Sequence, residues 1–310
     1  MLNRRNFIGK SFIAAIGSLF FPKLIYAEND ESILDYKPTP ENWKNDQINI
    51  AWIGHSTILI NFYGTIILTD PILLNRIGAN ILGISFGPTR LTPPALSFDE
   101  IPKPDIILLS HAHFDHMDYN SLKKITNKFP NQIEAITAYL TKDVIEDLKW
   151  KSISVIDWNE EIEIFNIKFT AIEVEHFGWR VPWEKDRSRG YLKDGRSYNA
   201  YLIEKNGKSI LFGGDTRNTK KLEILKEKNP DIAIMPIGAY NPWTYAHCNP
   251  EEALQMAENI GSKYFIPIHT KTFKLGAESF EEPIDWLKKS VQNYKIELGL
   301  DSIGQTFTQN

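Results

Sequence analysis

The hydrophobic residues of this chain fall mostly into short runs of strand length, and helical stripes are fewer. Ile48 to Ile53, Thr57 to Phe62 and Thr65 to Thr69 are β-branched runs broken at Gly54 and Gly64, which predicts three consecutive strands. Asp105 to Ser110 encloses a continuous apolar stretch, the pattern of a buried strand. Further strands are predicted at Ile153 to Ile156, Ile167 to Glu175, Tyr198 to Glu204, Ser209 to Phe212, Asp231 to Pro236 and Tyr264 to Ile268. Helical spacing occupies Tyr119 to Phe129 and Lys142 to Trp150, the second with Thr141 as its cap. A third helix opens at Asn249-Pro250-Glu251-Glu252, with Asn as cap and Pro at the first helical position, and Pro283 to Tyr294 forms a closing helix. Ile77 to Thr92, punctuated by Gly and Pro, reads as a long loop. Strand-rich halves with interspersed helices predict an α+β sandwich, two sheets packed together and flanked by helices, in one domain over 48–310.

The first residues break this pattern. Residues 1–27 hold Arg4, Arg5, Lys10 and Lys23 and no acidic residue, followed by about 11 apolar residues and then small ones. That order is the order of an export signal, and an 11-residue apolar core is too short to span a bilayer. The pair Arg4-Arg5 followed by Phe7-Ile8 resembles a twin-arginine signal, which implies the twin-arginine machinery as a partner, export of an already folded chain, and a periplasmic or otherwise exported location. Residues 28–47, polar with Pro38 and Pro40, read as an N-terminal extension. No later stretch reaches 18 apolar residues, so the expectation is a soluble or membrane-peripheral protein.

Composition narrows the chemistry. The 310 residues are 42% hydrophobic and 24% charged, a globular balance. The single cysteine, Cys248, excludes an intrachain disulfide and any multi-cysteine zinc site. The net charge is −4, or −8 without the four cations of residues 1–27, which argues against a nucleic-acid partner.

The histidines are clustered. Three fall within His111-Ala112-His113-Phe114-Asp115-His116, directly after the predicted strand ending at Ser110. His111 and His113, two apart on an extended segment, point the same way and can grip one ion, and Asp115 and His116 in the following turn can reach a second. His176, Asp215 and His269 also follow predicted strands, Asp215 through the tight-turning pair Gly213-Gly214. Imidazole and carboxylate groups at one end of several buried strands converge on one sheet edge and suit zinc.

This constellation resembles the metallo-β-lactamase superfamily, whose His-x-His-x-Asp-His motif stands at His111 to His116, with later elements at His176, Gly214-Asp215 and His269. The resemblance spans residues 48–275 and implies an αββα sandwich with a binuclear metal site at its edge. It implies that His111, His113 and His176 hold one metal, that Asp115, His116 and His269 hold the other, and that Asp215 bridges them. Asp70 matches an early Asp that orders the metal-binding loop without ligating. Within the superfamily the chain is similar to the branch of N-acyl-phosphatidylethanolamine-hydrolysing phospholipase D. The shared strings include Trp52-Ile53-Gly54-His55-Ser56-Thr57, Leu68-Thr69-Asp70-Pro71, His116-Met117-Asp118-Tyr119-Asn120, Ile237-Gly238-Ala239-Tyr240 and His247-Cys248-Asn249-Pro250-Glu251-Glu252-Ala253.

Two zinc ions per chain, with Mn²⁺ or Fe²⁺ as substitutes, lower the pKa of a bound water to about 7. The expectation is hydrolysis by metal-bound hydroxide, with a phosphodiester, including that of an N-acyl phospholipid, as first substrate class and a lactone or carboxylic ester as the alternative. A di-iron redox protein and a non-enzymatic binding module are the competing classes. Asp115 and His247 are the catalytic candidates besides the metals, with His247 in contact with substrate or protonating the leaving group. His55 is read as a buried supporting residue. Tyr240, Trp179, Arg180 and Trp243 are substrate-contact candidates, with Phe177, Trp183 and Tyr245 adding to an aromatic wall for an acyl chain. Arg187, Arg189 and Arg196 are candidates to meet a phosphate, and the loop Ile77 to Phe86 to touch a membrane.

Overall fold

The short apolar runs pair into two mixed sheets of seven strands each. The structure is a computed structural model and describes residues 34–81 and 84–310; the export signal read at 1–27 and the start of the extension lie outside the described residues. Leu34 to Gln47 carry one short 3-10 turn, Pro40–Asn42, before the first strand.

The first sheet holds β1 (Ile48–Gly54), β2 (Thr57–Phe62), β3 (Thr65–Thr69), β6 (Ile106–Leu109), β7 (Glu134–Ala138) and β8 (Ser152–Ile156), with the C-terminal β16 (Thr306–Gln309) added beside β1. The second runs in the order β15 (Glu297–Leu298), β14 (Tyr264–Ile268), β13 (Ile232–Pro236), β12 (Lys208–Phe212), β11 (Asn199–Lys205), β10 (Ile167–Glu173) and β9 (Glu161–Ile164). Both are built alike. Antiparallel pairs make one half (β16 to β3; β9 to β12), and parallel pairs make the other (β3, β6, β7, β8; β12 to β15).

This topology points β1, β3 and β6 one way in their sheet, and β10, β12 and β14 one way in theirs. The residues that follow these six strands include His55, Asp70, His111, His176, Asp215 and His269. Carboxyl ends of co-directed strands form a rim where backbone is free to leave the ladder and side chains can converge.

Between the sheets lies an apolar layer in which Trp52, Phe62, Phe169, Tyr201, Phe212 and Phe265 are fully buried. Every residue of β1 and β2 is buried, which explains runs that do not alternate. Polar bonds fasten one sheet to the other near the rim: the Tyr201 hydroxyl donates to the Leu109 carbonyl (2.9 Å) and the Asn199 amide to the Ser110 carbonyl (3.0 Å).

The α1 helix (Tyr119–Lys128) starts where Asp118 accepts from the Ser121 amide, and buries Leu122 and Ile125. The α2 helix (Pro250–Asn259) has the reciprocal cap written in its sequence. Asn249 accepts from the Glu252 amide and Glu252 from the Asn249 amide, both at 3.0 Å. Asn249→Ala is expected to cost about 1 kcal/mol in urea unfolding without changing the slope of the transition, whereas no loss would mean that the cap is redundant. The α3 helix (Glu282–Ser290) packs against α2 and ends in a 3-10 turn, Val291–Asn293, earlier than the predicted Tyr294.

Three readings needed correction. The helix expected at Lys142–Trp150 is only a 3-10 turn at Lys142–Val144. Thr141 does not cap it, because its hydroxyl donates to the Ala138 carbonyl (2.7 Å), and the Trp150 indole N–H takes the Ile145 carbonyl (2.8 Å) that a continuing helix would use. The stretch Ile77–Thr92 is no plain loop. It contains a hairpin, β4 (Ala79–Ile81) with β5 (Ile84–Phe86), closed where Gly78 passes so close to the Phe86 carbonyl that a Cβ would stand 2.0 Å from its oxygen. β7, β9, β15 and β16 were not predicted.

Candidate metal centre

Asp215 Oδ2 is the centre of the rim. Around it stand His116 Nε2 at 3.0 Å, His269 Nε2 at 3.1 Å, His176 Nε2 at 3.8 Å, and His111 Nε2 and His247 Nδ1 at 3.9 Å. Two four-residue groups share this neighbourhood: His111, His113, His176 and Asp215, and His55, Asp115, His116 and His269, each with its donor atoms within 4.8 Å of one another. Asp215, His247 and His269 make a third.

The chain reaches this geometry through strained turns. Gly214, with φ +57°, brings Asp215 in; a Cβ there would lie 2.9 Å from the Asn199 carbonyl oxygen and from Ser110 Cβ. His55, Asp70 and His269 themselves sit at φ +50°, +32° and +61°, a region costly to non-glycine residues and concentrated at functional sites. His55 is held by its own backbone, donating N–H to Thr272 Oγ1 (2.6 Å) and accepting from the Trp52 indole (2.8 Å) and the His269 amide (3.2 Å).

Three of the rings, His111, His116 and His176, are aimed from behind. Asp70, fully buried, contacts His116 Nδ1 (2.7 Å) and accepts from the Ser110 amide (2.8 Å) and hydroxyl (2.5 Å). The Ala246 carbonyl contacts His176 Nδ1 (3.0 Å), and Ser110 Oγ contacts His111 Nδ1 (2.9 Å). Such partners fix the tautomer and leave Nε2 facing the centre. His55 Nε2 and His269 Nε2 both lie 3.3 Å from Asp115 Oδ2.

The donor set fits divalent metal. His116 Nε2, His247 Nδ1 and both Asp215 oxygens are buried without a hydrogen-bond partner among the described residues, a costly arrangement that a cation relieves. Burial pushes His55 down to about 3 and His113 and His247 to about 4, and holds His111 and His176 well below the ordinary histidine value, so these rings present neutral lone pairs. Burial alone would raise Asp115 and Asp215, but the adjacent His116 outweighs it and keeps both well below the usual carboxylate range. His116 and His269 go the other way: against burial, Asp215 and Asp115 hold His116 well above the ordinary histidine value and raise His269 to about 9, so without metal these two rings carry protons. Neutral imidazoles with ionised carboxylates are the ligand states zinc and its neighbours require, so metal binding would release the protons of His116 and His269.

The structure therefore brings His111, His113, Asp115, His116, His176, Asp215, His247 and His269 into one cluster, with His55 closer to it than a remote supporting residue would be. The other candidates part company. Trp179 stacks on Phe177 (4.9 Å) and lies 6.3 Å from the His113 ring, at the edge of the centre. Trp243 is exposed beside Tyr245. Tyr240 turns its hydroxyl to Glu282 (2.7 Å) in α3. Arg180 is likewise turned inward. Its Nη1 donates to the Ala112 (2.5 Å) and Met117 (3.0 Å) carbonyls and its guanidinium lies 4.0 Å over the Phe114 ring, so it fastens both ends of the histidine turn. Arg187 is bidentate to Asp157, and Arg196 is held by Asp143 and Glu184, so neither waits for a phosphate. Sequence reasoning missed Ser110, whose hydroxyl touches both Asp70 and His111; only its place at the strand end, one residue before the motif, hinted at it.

The family described as "Beta-lactamase superfamily domain" matches residues 65–270, the span that carries every cluster residue except His55. The chain belongs to the metallo-β-lactamase superfamily. It is a metal-dependent hydrolase of that superfamily. Among curated relatives it is 28% identical over 281 residues to N-acyl-phosphatidylethanolamine-hydrolyzing phospholipase D 1 of Caenorhabditis elegans, covering 84% of this chain and 76% of that one. It is 31% identical over 253 residues to the mitochondrial enzyme of the same name from Saccharomyces cerevisiae, covering 77% of this chain and 50% of the yeast protein. A solved metallo hydrolase from Ignicoccus hospitalis shares the fold at a TM-score of 0.61 and 17% identity, over 85% of this chain and 99% of that one.

Proposed function

We propose that this superfamily member is a binuclear zinc hydrolase that cleaves a phosphodiester. The observation that carries the reading is the position of Asp215 Oδ2, which belongs to the His111–His113–His176 group and lies within 3.1 Å of His116 and His269 of the other. One carboxylate shared by two imidazole groups is the arrangement a metal pair needs. The names of the worm and yeast relatives support the phosphodiester, in their case that of an N-acyl phospholipid.

In this reading His111, His113 and His176 would hold one ion, Asp115, His116 and His269 the other, and Asp215 both. When bound, the ions supply Lewis acidity and a water of lowered pKa. The protein supplies orientation. Asp70, Ser110 and the Ala246 carbonyl aim the rings, Arg180 holds the turn that bears four of the ligands, and His55 steadies Asp115. His247, stacked on His269 at a 5.0 Å ring separation and edge-on to His176 at 5.2 Å, would hydrogen-bond substrate in this reading. Delivery outside the cytoplasm through residues 1–27 belongs to the same proposal, supported by Arg4-Arg5 and the apolar stretch after them.

The test is metal analysis together with a substrate panel. The purified protein is expected to carry two equivalents of zinc per chain, to lose turnover on dialysis against dipicolinate, and to regain it with zinc. Chromogenic phosphodiesters are expected to be hydrolysed in preference to lactones and carboxylic esters. One equivalent of metal at full activity would overturn the binuclear reading, and turnover of lactones alone would overturn the phosphodiester.

A further inference from the structure

Beside the metal cluster is a cavity of about 490 Å³, in the size range of small-molecule sites. His176 belongs to both: its Nε2 faces Asp215, and its ring borders the cavity. Phe177 stacks on that ring (4.6 Å) and Trp179 on Phe177, so one wall is aromatic and continuous with the centre. Ser188, Tyr198 and Tyr245 add to the lining, and its charged residues are Arg189, Arg217 and Lys221 beside Glu175 and Asp186.

The charges nearly balance, but the hydrogen-bonding capacity does not. Glu175 is engaged by Arg217 through Nε and Nη2, which leaves Nη1 over. Asp186 accepts from the Ser188 amide (2.9 Å), capping the turn Arg187–Arg189. Lys221 donates once, to Glu173 (2.7 Å), and keeps two N–H groups. Arg189 is mostly exposed, with its nearest carboxylate, Asp186, 3.7 Å away. The lining cations outnumber the carboxylates three to two, and each carboxylate already has a partner in Arg217 or the Ser188 amide, so the excess offered to a visitor is of donors on cations. An acyl chain there would strip water from them without replacement, and an ammonium group would meet like charge. Phosphate or carboxylate oxygens accept from all three.

We propose that this cavity is a subsite for a second anionic group, a phosphate or carboxylate, carried by the substrate whose ester bond lies at the metal cluster. The proposal rests on the hydrolase reading above and deepens it. The substrate class becomes a small phosphodiester with an anionic end, and the charged lining replaces the acyl channel expected from the aromatic residues.

The test compares the zinc-loaded wild type with the R217Q/K221Q double variant, matched in metal content by atomic spectroscopy. Calorimetric titrations use glycerol 3-phosphate, glycerate and glycerol. Kinetics use the p-nitrophenyl phosphodiesters of the same three alcohols. Wild type is expected to bind the two anions and not glycerol, and to favour the anionic diesters in kcat/KM by roughly 10- to 100-fold. The stronger of the two anions identifies the group. The double variant is expected to weaken anion binding by about 10-fold or more and to bring the kcat/KM ratios close to one. Should it not fold, R189Q, altered at an exposed side chain, is expected to show a several-fold weakening of the same anions. Equal anion affinity in wild type and variants would place the anions on the metals alone and overturn the subsite. Failure of the hydrolase reading looks different: none of the three diesters turns over, while anion affinity still falls in the variants.

Discussion

Asp215→Ala is expected to abolish turnover, by at least about 10³-fold, and to release metal. The reason is position. Asp215 has its oxygens buried without hydrogen-bond partners among the described residues, in the midst of five imidazoles, and Oδ2 is within 3.9 Å of a nitrogen on each. Alanine removes the carboxylate that both groups share and leaves Asp115, beside His55 and His269, as the remaining negative charge among the rings, so two cations there would repel each other with too little charge to offset them. His247→Ala is the contrasting arm. His247 stands at 3.9 Å from Asp215, on the side where the side chain is still 13% exposed, and its loss is expected to lower kcat with both metals retained. Metal content by atomic spectroscopy beside kcat and KM separates the two. Full metal occupancy in Asp215→Ala would remove it from the centre, and undiminished kcat in His247→Ala would remove that residue from catalysis.

Asp70→Ala is expected to destabilise the fold by about 3–5 kcal/mol and to weaken metal binding by roughly 10- to 100-fold. Asp70 is fully buried, and three groups converge on its carboxylate: the Ser110 amide, the Ser110 hydroxyl and His116 Nδ1. Truncation leaves the amide and the imidazole unpaired in a site that water does not reach, and frees His116 to rotate. Asp70→Asn keeps the volume and one acceptor oxygen, but presents an N–H₂ where a hydroxyl and an imidazole now meet an acceptor, so it is expected to fall between wild type and alanine. Urea unfolding of metal-depleted protein measures the structural part, and competition with a chelator of known affinity measures the metal part. If stability fell while chelator competition stayed at the wild-type level, Asp70 would be a fold residue without influence on the centre.

How much of this was legible in the sequence varies residue by residue. β1, β2, β3 and β14 were readable almost to their end residues, because runs such as Thr57 to Phe62 are short, β-branched and bounded by glycine or polar residues. β7 was not. Glu134-Ala135-Ile136-Thr137-Ala138 has no local β pattern and becomes a strand because β6 and β8 stand on either side of it with open ladder edges. Lys142 to Trp150 failed in the opposite direction: it has helical periodicity, but the Thr141 hydroxyl and the Trp150 indole find nearer backbone carbonyls.

The sequence by itself determined which residues can bind metal and that they follow buried strands, because residue type and strand periodicity are local properties written along the chain. It also fixed the cap of α2 and the turn at Gly214. Only the tertiary structure decided direction. Arg180 and Tyr240 read alike as substrate contacts, yet one turns to the carbonyls of the histidine turn and the other to α3, while Arg189, Arg217 and Lys221, scattered in sequence, line one cavity with His176. Which way a side chain faces depends on strand order and on what the second sheet brings opposite it, and both are set by pairings between residues far apart in the chain.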